Sequence, residues 1–249
     1  MSFRPCVVVP TYDNPITIRP AVTALRAHIE DILVVDDGSG PAARAEIDRL
    51  GAEGLARVLR HDVNGGKGAA VKTGLRAAAA AGFTHVLQID ADGQHAFQDV
   101  PRFLRAAETS PHALVLGQPV FDESVPAVRL WGRKLTNFWV HIETGGLVIR
   151  DPLCGYRVYP TAAALAALPR ADRMDFDPEI AVRLVWAGLP VINLPTPVRY
   201  LTAAEGGVSH FRMFRDNVRI TWMHTRLVFA APWSLFNRRR LVACQRRAG

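Results

Sequence analysis

Residues 6–10 read CVVVP and residues 32–35 read ILVV, unbroken apolar runs rich in β-branched side chains. Such runs are strands buried on both faces, an environment found in a parallel sheet covered by helices on each side. Helical periods fill the intervals. Ala21, Ala24 and Leu25 share one side of a helix that Asn14 and Pro15, or Pro20, would start. After Ser39 and Pro41, a helix start, Ala43, Ile47 and Leu50 repeat at helical spacing. A third short strand at 57–60, an alanine-rich helix at 67–81 and a fourth strand at 85–89 complete a βαβαβαβ series. That series predicts a doubly wound, mostly parallel sheet with right-handed crossovers and helices on both faces. Further on, Val100, Phe103, Leu104 and Ala107 mark another amphipathic helix, followed by a strand at 113–116. The pattern then becomes irregular: a polar, Trp-containing helix at about 127–141, a Gly/Pro/Cys loop at 145–156, a helix beginning near Asp177 and Pro178, and a strand at 191–194. No low-complexity linker or internal repeat divides the chain.

Composition narrows the class. With 249 residues, 49% hydrophobic and 21% charged, the chain can bury a full core and is not disordered. Cys6, Cys154 and Cys244 are unevenly spaced and lack CxxC or Cys/His neighbours, which argues against a disulfide scaffold or a zinc site and for a reducing cytosol. No run approaches the ~18–20 apolar residues of a membrane span, and the start leads directly into a strand without a signal peptide. A soluble or peripheral protein is expected. The net charge is +7, but it is not spread evenly. Residues 199–249 hold ten arginines against Glu205 and Asp216, a net of +8, whereas residues 1–198 carry −1. The basic end therefore points to an anionic surface or ligand, and without a recognisable module it does not indicate nucleic acid.

The chemistry collects at the strand ends, where open parallel sheets bind ligands. Thr11, Tyr12, Asp13 and Asn14 follow the first strand, and Asp36, Asp37, Gly38 and Ser39 the second. Asn64, Gly65, Gly66, Lys67 and Gly68 follow the third, and residues 90–95 (DADGQH) the fourth. Singly, these are ordinary turn formers or helix caps; together they describe a nucleotide site. If the fourth strand continues past the sheet, alternation puts Asp90 and Asp92 on one side, where two hard carboxylates can share Mg²⁺ or Mn²⁺ with substrate phosphates. The segment 66–68 offers backbone N–H groups, the Lys67 cation and a helix N-terminus suited to phosphate or to nearby carboxylates. A Walker A sequence and a GxGxxG after the first strand are both absent, which removes the main support for an ATPase or an NAD dehydrogenase.

PTYDN at 10–14, VVDDGSG at 34–40, NGGKGAAVKTGL at 64–75, DADGQH at 90–95, DPLCGYRVYP at 151–160 and the FDPEI and AGLPV segments at 176–195 resemble the family 2 glycosyltransferases of GT-A fold. The resemblance is to the dolichyl- or polyprenyl-phosphate sugar transferases and covers roughly residues 5–215. It implies a single Rossmann-like α/β domain at 1–209 followed by a basic amphipathic helical extension at 210–249. By that likeness Pro10, Thr11, Tyr12, Asp13, Asp36 and Asp37 would hold the nucleoside, with Gly66 and Lys67 nearby. Asp90, Ala91, Asp92 and Gln94 would bind the diphosphate, with Asp90 and Asp92 on the metal. Asp151, heading the pattern completed by Gly155, Tyr156 and Arg157, would sit against sugar and acceptor and, with Asp92, serve catalysis; a turn before Pro152 is its plainer role. The departure of the nucleoside diphosphate while an acceptor attacks the opposite face of C1 gives inversion. A phosphate acceptor needs no strong base; a hydroxyl would, from Asp151 or from Asp175, Asp177 and Glu179, although capping the helix suits Asp177 better.

The sequence departs from its relatives where the acceptor would bind. An expected G-S-R reads Gly117, Gln118, Pro119, and a late R-x-x-G-x-S-K reads AEGGVSH at 204–210, so two cations are missing. Arg129, Arg133 and Lys134 on the polar helix could take their place, with Arg157, Ser209 and His210 also expected at the acceptor. From His210 onward, a wheel gathers Arg212, Arg215, Arg219 and Arg226 with Trp222 beside them, and sets Phe211, Phe214, Val218, Val228 and Phe229 opposite. That is the look of an interfacial helix on anionic lipid or of a helix packed on the domain with a solvated Arg face. Residues 229–236 (FAAPWSLF) and Arg238, Arg239 and Arg240 add an apolar patch beside charge. The expectation is a cytoplasmic enzyme, peripheral on the inner face of the membrane, acting on a lipid or lipid-linked acceptor. A nucleotidyltransferase would need a Gly-rich basic loop after the first strand, and a non-catalytic binding module would not need Asp90 and Asp92.

Overall fold

The computed structural model describes residues 2–122, 125, 127–202 and 213–248, with backbone alone at 127–129, 213–214 and 235–248. Strand β1 (Pro5–Thr11), helix α1 (Ile18–Arg26), β2 (Ile32–Asp36), α2 (Pro41–Ala52), β3 (Arg57–Arg60), α3 (Lys67–Ala80) and β4 (His85–Gln88) realise the alternating series. They are followed by α4 (Val100–Thr109), β5 (Leu114–Phe121), α5 (Ala127–Thr144), β6 (Arg157–Pro160), α6 (Thr161–Ala166), α7 (Phe176–Trp186), β7 (Val191–Val198) and α8 (Met213–Ala248). The strands form one seven-stranded sheet in the order β3-β2-β1-β4-β6-β5-β7.

Strand alternation divides the core. Cys6, Val8, Leu33 and Val35 face one side, against Val71 and Leu75 of α3 and Ile180 and Leu184 of α7. Val7, Val9, Ile32 and Val34 face the other, against Val22 and Leu25 of α1, Ile47 and Leu50 of α2, and Phe103 of α4. This is why β1 and β2 read as continuous apolar strings: both faces are covered.

All neighbouring pairs are parallel except those of β6, which runs antiparallel between β4 and β5. Its sequence, RVYP, begins with an arginine, so no apolar run announced it. β5 extends past the expected 113–116 because it pairs with β7 through eight residues. Ser39 does not start α2. Gly40 occupies the N-cap, and Ser39 instead accepts a hydrogen bond from the Asp13 N–H at 3.0 Å.

α8 docks on α5 and α7. Its inward face is Asp216, Met223, His224, Leu227 and Ala231. The expected wheel is therefore turned: Val218 and Phe229 face solvent, and Arg226 reaches back to buried Glu179 at 3.2 Å. Arg212, Phe211 and the side chains of Phe214 and Arg238–Arg240 lie outside the described residues. Among the described residues no helix is long and apolar enough to cross a membrane.

Candidate active site

β1 and β2 run level, with Thr11 opposite Asp36, so their carboxyl ends reach the rim of the sheet together. The two aspartates that follow do different work. Asp36 is buried, with one oxygen accepting from the Ser39 N–H at 2.9 Å and the other from Arg60 Nε at 2.7 Å. Burial alone would raise its pKa, but the Ser39 and Arg60 hydrogen bonds outweigh that and hold it below the ordinary carboxylate value. Asp37 faces the rim and accepts from the backbone N–H of Gly65 at 2.9 Å and of Gly66 at 2.7 Å, with His61 Nδ1 at 2.7 Å. It thereby fixes the loop that leads into α3. Gly66 has φ +104°, and a Cβ there would lie 2.5 Å from the Asp172 carbonyl oxygen, so the turn needs glycine.

β4 stops at Gln88, and residues 90–94 turn away from the sheet. The expected strand alternation therefore does not apply to Asp90 and Asp92; both line the cavity from this turn, where Asp92 accepts from the Gln94 N–H at 3.1 Å. Asp90 fits its place because position 155 has no side chain: a Cβ on Gly155 would stand 2.1 Å from Asp90 Oδ2. Lys67, first residue of α3, sends its ammonium between two carboxylates, 2.7 Å from Asp90 and 2.7 Å from Asp177. Burial would lower the Lys67 pKa, and the two aspartates instead raise it.

Asp177 is not the helix cap the sequence suggested. It is buried within the first turn of α7, where Gln88 Nε2 donates to it at 3.0 Å and Lys67 pairs with it. Burial opposes its charge, yet Lys67 and Arg157 hold its pKa down. Sequence reasoning left this role unassigned, although the acidic cluster at 175–179 was visible. His95 was also passed over. Its ring lies at the same wall, 4.0 Å from Asp90, with burial pushing its pKa down to about 4.

Asp151 stands behind this wall. Its two oxygens are each 2.6 Å from Arg133 Nη1, and one also accepts from the Leu153 N–H at 2.9 Å. Arg157 does not offer itself to an acceptor. It is fully buried in β6 and donates to the carbonyls of Cys154 at 2.9 Å, Pro152 at 3.0 Å and Asp177 at 2.8 Å, fixing the 151–156 loop against α7.

These elements surround one cavity of about 1810 Å³. Of the residues expected to hold the donor, Pro10, Thr11, Tyr12, Asp37, Gly66, Lys67, Asp90, Ala91, Asp92 and Gln94 all line it. Asp13 and Asp36 do not. Asp13, at φ +50°, accepts from the Gly40 N–H at 2.7 Å and braces the first loop against α2. Of the residues expected to meet an acceptor, Arg133 lines the cavity, whereas Asp151 and Arg157 are not part of its lining. The Arg129 side chain, Ser209 and His210 lie outside the described residues.

Over residues 6–163 the sequence matches glycosyl transferase family 2. The chain belongs to that family. It is a glycosyltransferase of GT-A fold, as the motifs implied. The undecaprenyl-phosphate mannosyltransferase of Micrococcus luteus is 30% identical to this transferase over 206 residues, 77% of this chain and 82% of that protein. The polyprenol monophosphomannose synthase of Mycolicibacterium smegmatis is 28% identical over 231 residues, 87% and 83% of the two. Among solved structures, glucosyl-3-phosphoglycerate synthase from Mycobacterium tuberculosis, with Mn²⁺, UDP-glucose and phosphoglyceric acid, superposes with a TM-score of 0.66 at 20% identity. That likeness covers 90% of this chain and 79% of that one and shows the shared fold.

The cavity wall of the transferase suits a divalent ion brought in with phosphates. Among the described residues no three His, Cys, Asp or Glu side chains cluster into a complete cage. Two carboxylates beside open space fit an ion that takes its remaining ligands from phosphate and water. Asp90 Oδ1 is buried without an aligned hydrogen bond, and the nearby cation is the Lys67 ammonium.

Proposed function

We propose that this enzyme transfers a sugar from a nucleotide diphosphate to a lipid-linked phosphate, with inversion at the anomeric carbon, at the inner face of a membrane. The observation that carries the reading is the convergence of Asp37, Asp90 and Asp92 with Asn64 and Gly66 on one cavity that Arg133 also lines. Names of relatives add support: two act on undecaprenyl or polyprenol phosphate, and a solved GT-A neighbour holds Mn²⁺ and UDP-glucose.

The nucleoside lies along residues 10–12 and Asp37. The diphosphate faces Asp90 and Asp92, which would hold Mg²⁺ or Mn²⁺. Such an ion, when bound, neutralises charge on the departing diphosphate. Arg133 meets the acceptor phosphate, and Asp151, paired with Arg133, acts as a positioning residue that aims it. A phosphate acceptor carries its nucleophilic oxygen already ionised at neutral pH, so no carboxylate must take a proton. A hydroxyl acceptor would require a free base, and Asp151 is committed to Arg133.

Asp92→Asn should abolish transfer while leaving the circular-dichroism spectrum and melting temperature close to those of the unaltered enzyme. Turnover that persists with this substitution, or in enzyme stripped with EDTA, would refute the metal role. Product NMR should show the anomeric configuration opposite to the donor's; retention would rule out a single displacement.

A further inference from the structure

Eight large apolar side chains left in solvent fall on two helices. On α5, Trp131, Leu135, Phe138 and Ile142 recur by four, three and four residues, and all are exposed, Trp131 at 72%. On α8, Val218, Trp222, Phe229 and Trp233 recur by four, seven and four, with Phe229 exposed at 82%. A surface helix ordinarily has one apolar stripe, turned inward. These two helices already have their inward faces: Thr136, Val140 and Glu143 on α5, and Met223, His224 and Leu227 on α8, joined by a 2.7 Å contact between Glu143 and His224 Nδ1. The outer stripes are therefore additional, and exposed apolar surface of that kind marks an interaction site.

Charge and position identify the occupant. Arg215 and Arg219 flank the α8 stripe, and Lys134 lies 5.3 Å from the centre of the Trp131 ring. Residues 199–249, which include α8, carry net +8. Trp131, Leu135 and Phe229 line the active-site cavity as well as the patch, so the surface runs into the mouth. A second copy of the chain fits poorly, because two-fold pairing brings each patch, with its arginines, against itself. An anionic bilayer fits both features: aromatic side chains enter the headgroup boundary while arginines meet lipid phosphates.

We infer that α5 and α8 together form a platform that lies in the interface of an anionic bilayer, with the cavity mouth held at lipid level. The sequence suggested membrane contact by the C-terminal segment alone; the α5 stripe makes the central domain half of the surface. The purpose of the platform rests on the lipid-acceptor reading, but its binding is measured without donor or metal.

The full chain should co-sediment with phosphatidylcholine vesicles containing phosphatidylglycerol and much less with phosphatidylcholine alone. Phe138→Ser with Ile142→Ser, and separately Trp222→Ser with Trp233→Ser, should each weaken partitioning about tenfold or more, from the apolar area no longer buried. Arg215→Glu with Arg219→Glu should weaken binding to the anionic vesicles alone. All six side chains are exposed, and melting curves check that each variant folds. In the unaltered chain, brominated lipid should quench tryptophan fluorescence. The proposal fails if the α5 pair binds like the unaltered chain, if brominated lipid does not quench, or if light scattering shows a dimer that these substitutions dissociate. Vesicle binding without turnover of any sugar nucleotide would sink the functional reading and leave the platform standing.

Discussion

Asp90 can face the cavity because residue 155 is glycine, and this gives the motif at 151–157 a physical reason. A methyl at 155 would stand 2.1 Å from the carboxylate and turn Asp90 off its bearing. Gly155→Ala should reduce transfer on the order of 100-fold, as a misplacement of about 1 Å can. Mn²⁺ affinity, followed by electron paramagnetic resonance, should fall with it, while the melting temperature stays within a few degrees. Unchanged metal affinity would show that Asp90 is not held for the ion. Asp36 illustrates the opposite case, a motif aspartate that serves the fold. Its pKa in the folded protein is lowered from the ordinary 3.8, burial being outweighed by Ser39 and Arg60. A depressed carboxylate adds stability that is present above the unfolded value and lost as pH falls through the folded one. Asp36→Asn should therefore cost about 1–3 kcal/mol near neutral pH, a gap that closes below about pH 4 in urea titrations. Residue chemistry was legible in the sequence where a side chain reaches the rim, as with Asp37, Asp90, Asp92 and Lys67. It was not legible for Arg157 or Asp177, because nothing local tells a buried ion partner from a ligand contact or a helix cap.

The elements divide along the same line. β1, β2 and α3 announce themselves because burial on both faces, or close packing of a helix on a sheet, dictates their composition locally. β6 does not: its place between β4 and β5 comes from pairing partners that both lie more than 35 residues earlier in the chain, and its first side chain is an arginine. α8 misled the wheel for a related reason. Its inner face includes Asp216 and His224, so polarity alone assigns that face to solvent, while Glu143 on α5 supplies the partner for His224. The register of α8 can be tested by paired truncations. Met223→Ala, at a fully buried position, should cost about 2–5 kcal/mol in unfolding free energy. Val218→Ala, on the exposed side, should stay within about 0.5 kcal/mol. Equal costs at the two positions would mean that the helix docks through another face.

At the scale of the whole molecule, charge is sorted by location. A nearly neutral body presents carboxylates to one cavity, and the cationic excess lies in the last fifth of the chain, whose helix forms part of the cavity wall. On the proposed reading, the carboxylates that line the cavity would repel a nucleoside diphosphate unless a cation accompanies it, since Lys67 is already held between Asp90 and Asp177. Donor and metal should therefore bind as a linked pair. The cavity is walled by the ends of β1, the start of α3, the turn after β4, and α5, α7 and α8, so a ligand there ties together parts that are far apart in sequence. At 100 times Kd, binding to the folded state adds about 2.7 kcal/mol, which for a domain of this size raises the melting temperature by about 5–10 °C. A thermal-shift series with each nucleoside diphosphate should show such a rise for one base when Mn²⁺ is present. The rise should collapse on adding EDTA and be absent in Asp92→Asn. A shift of the same size from the nucleotide alone would mean that cations of the chain, Lys67 or Arg133 among them, hold the diphosphate without a metal.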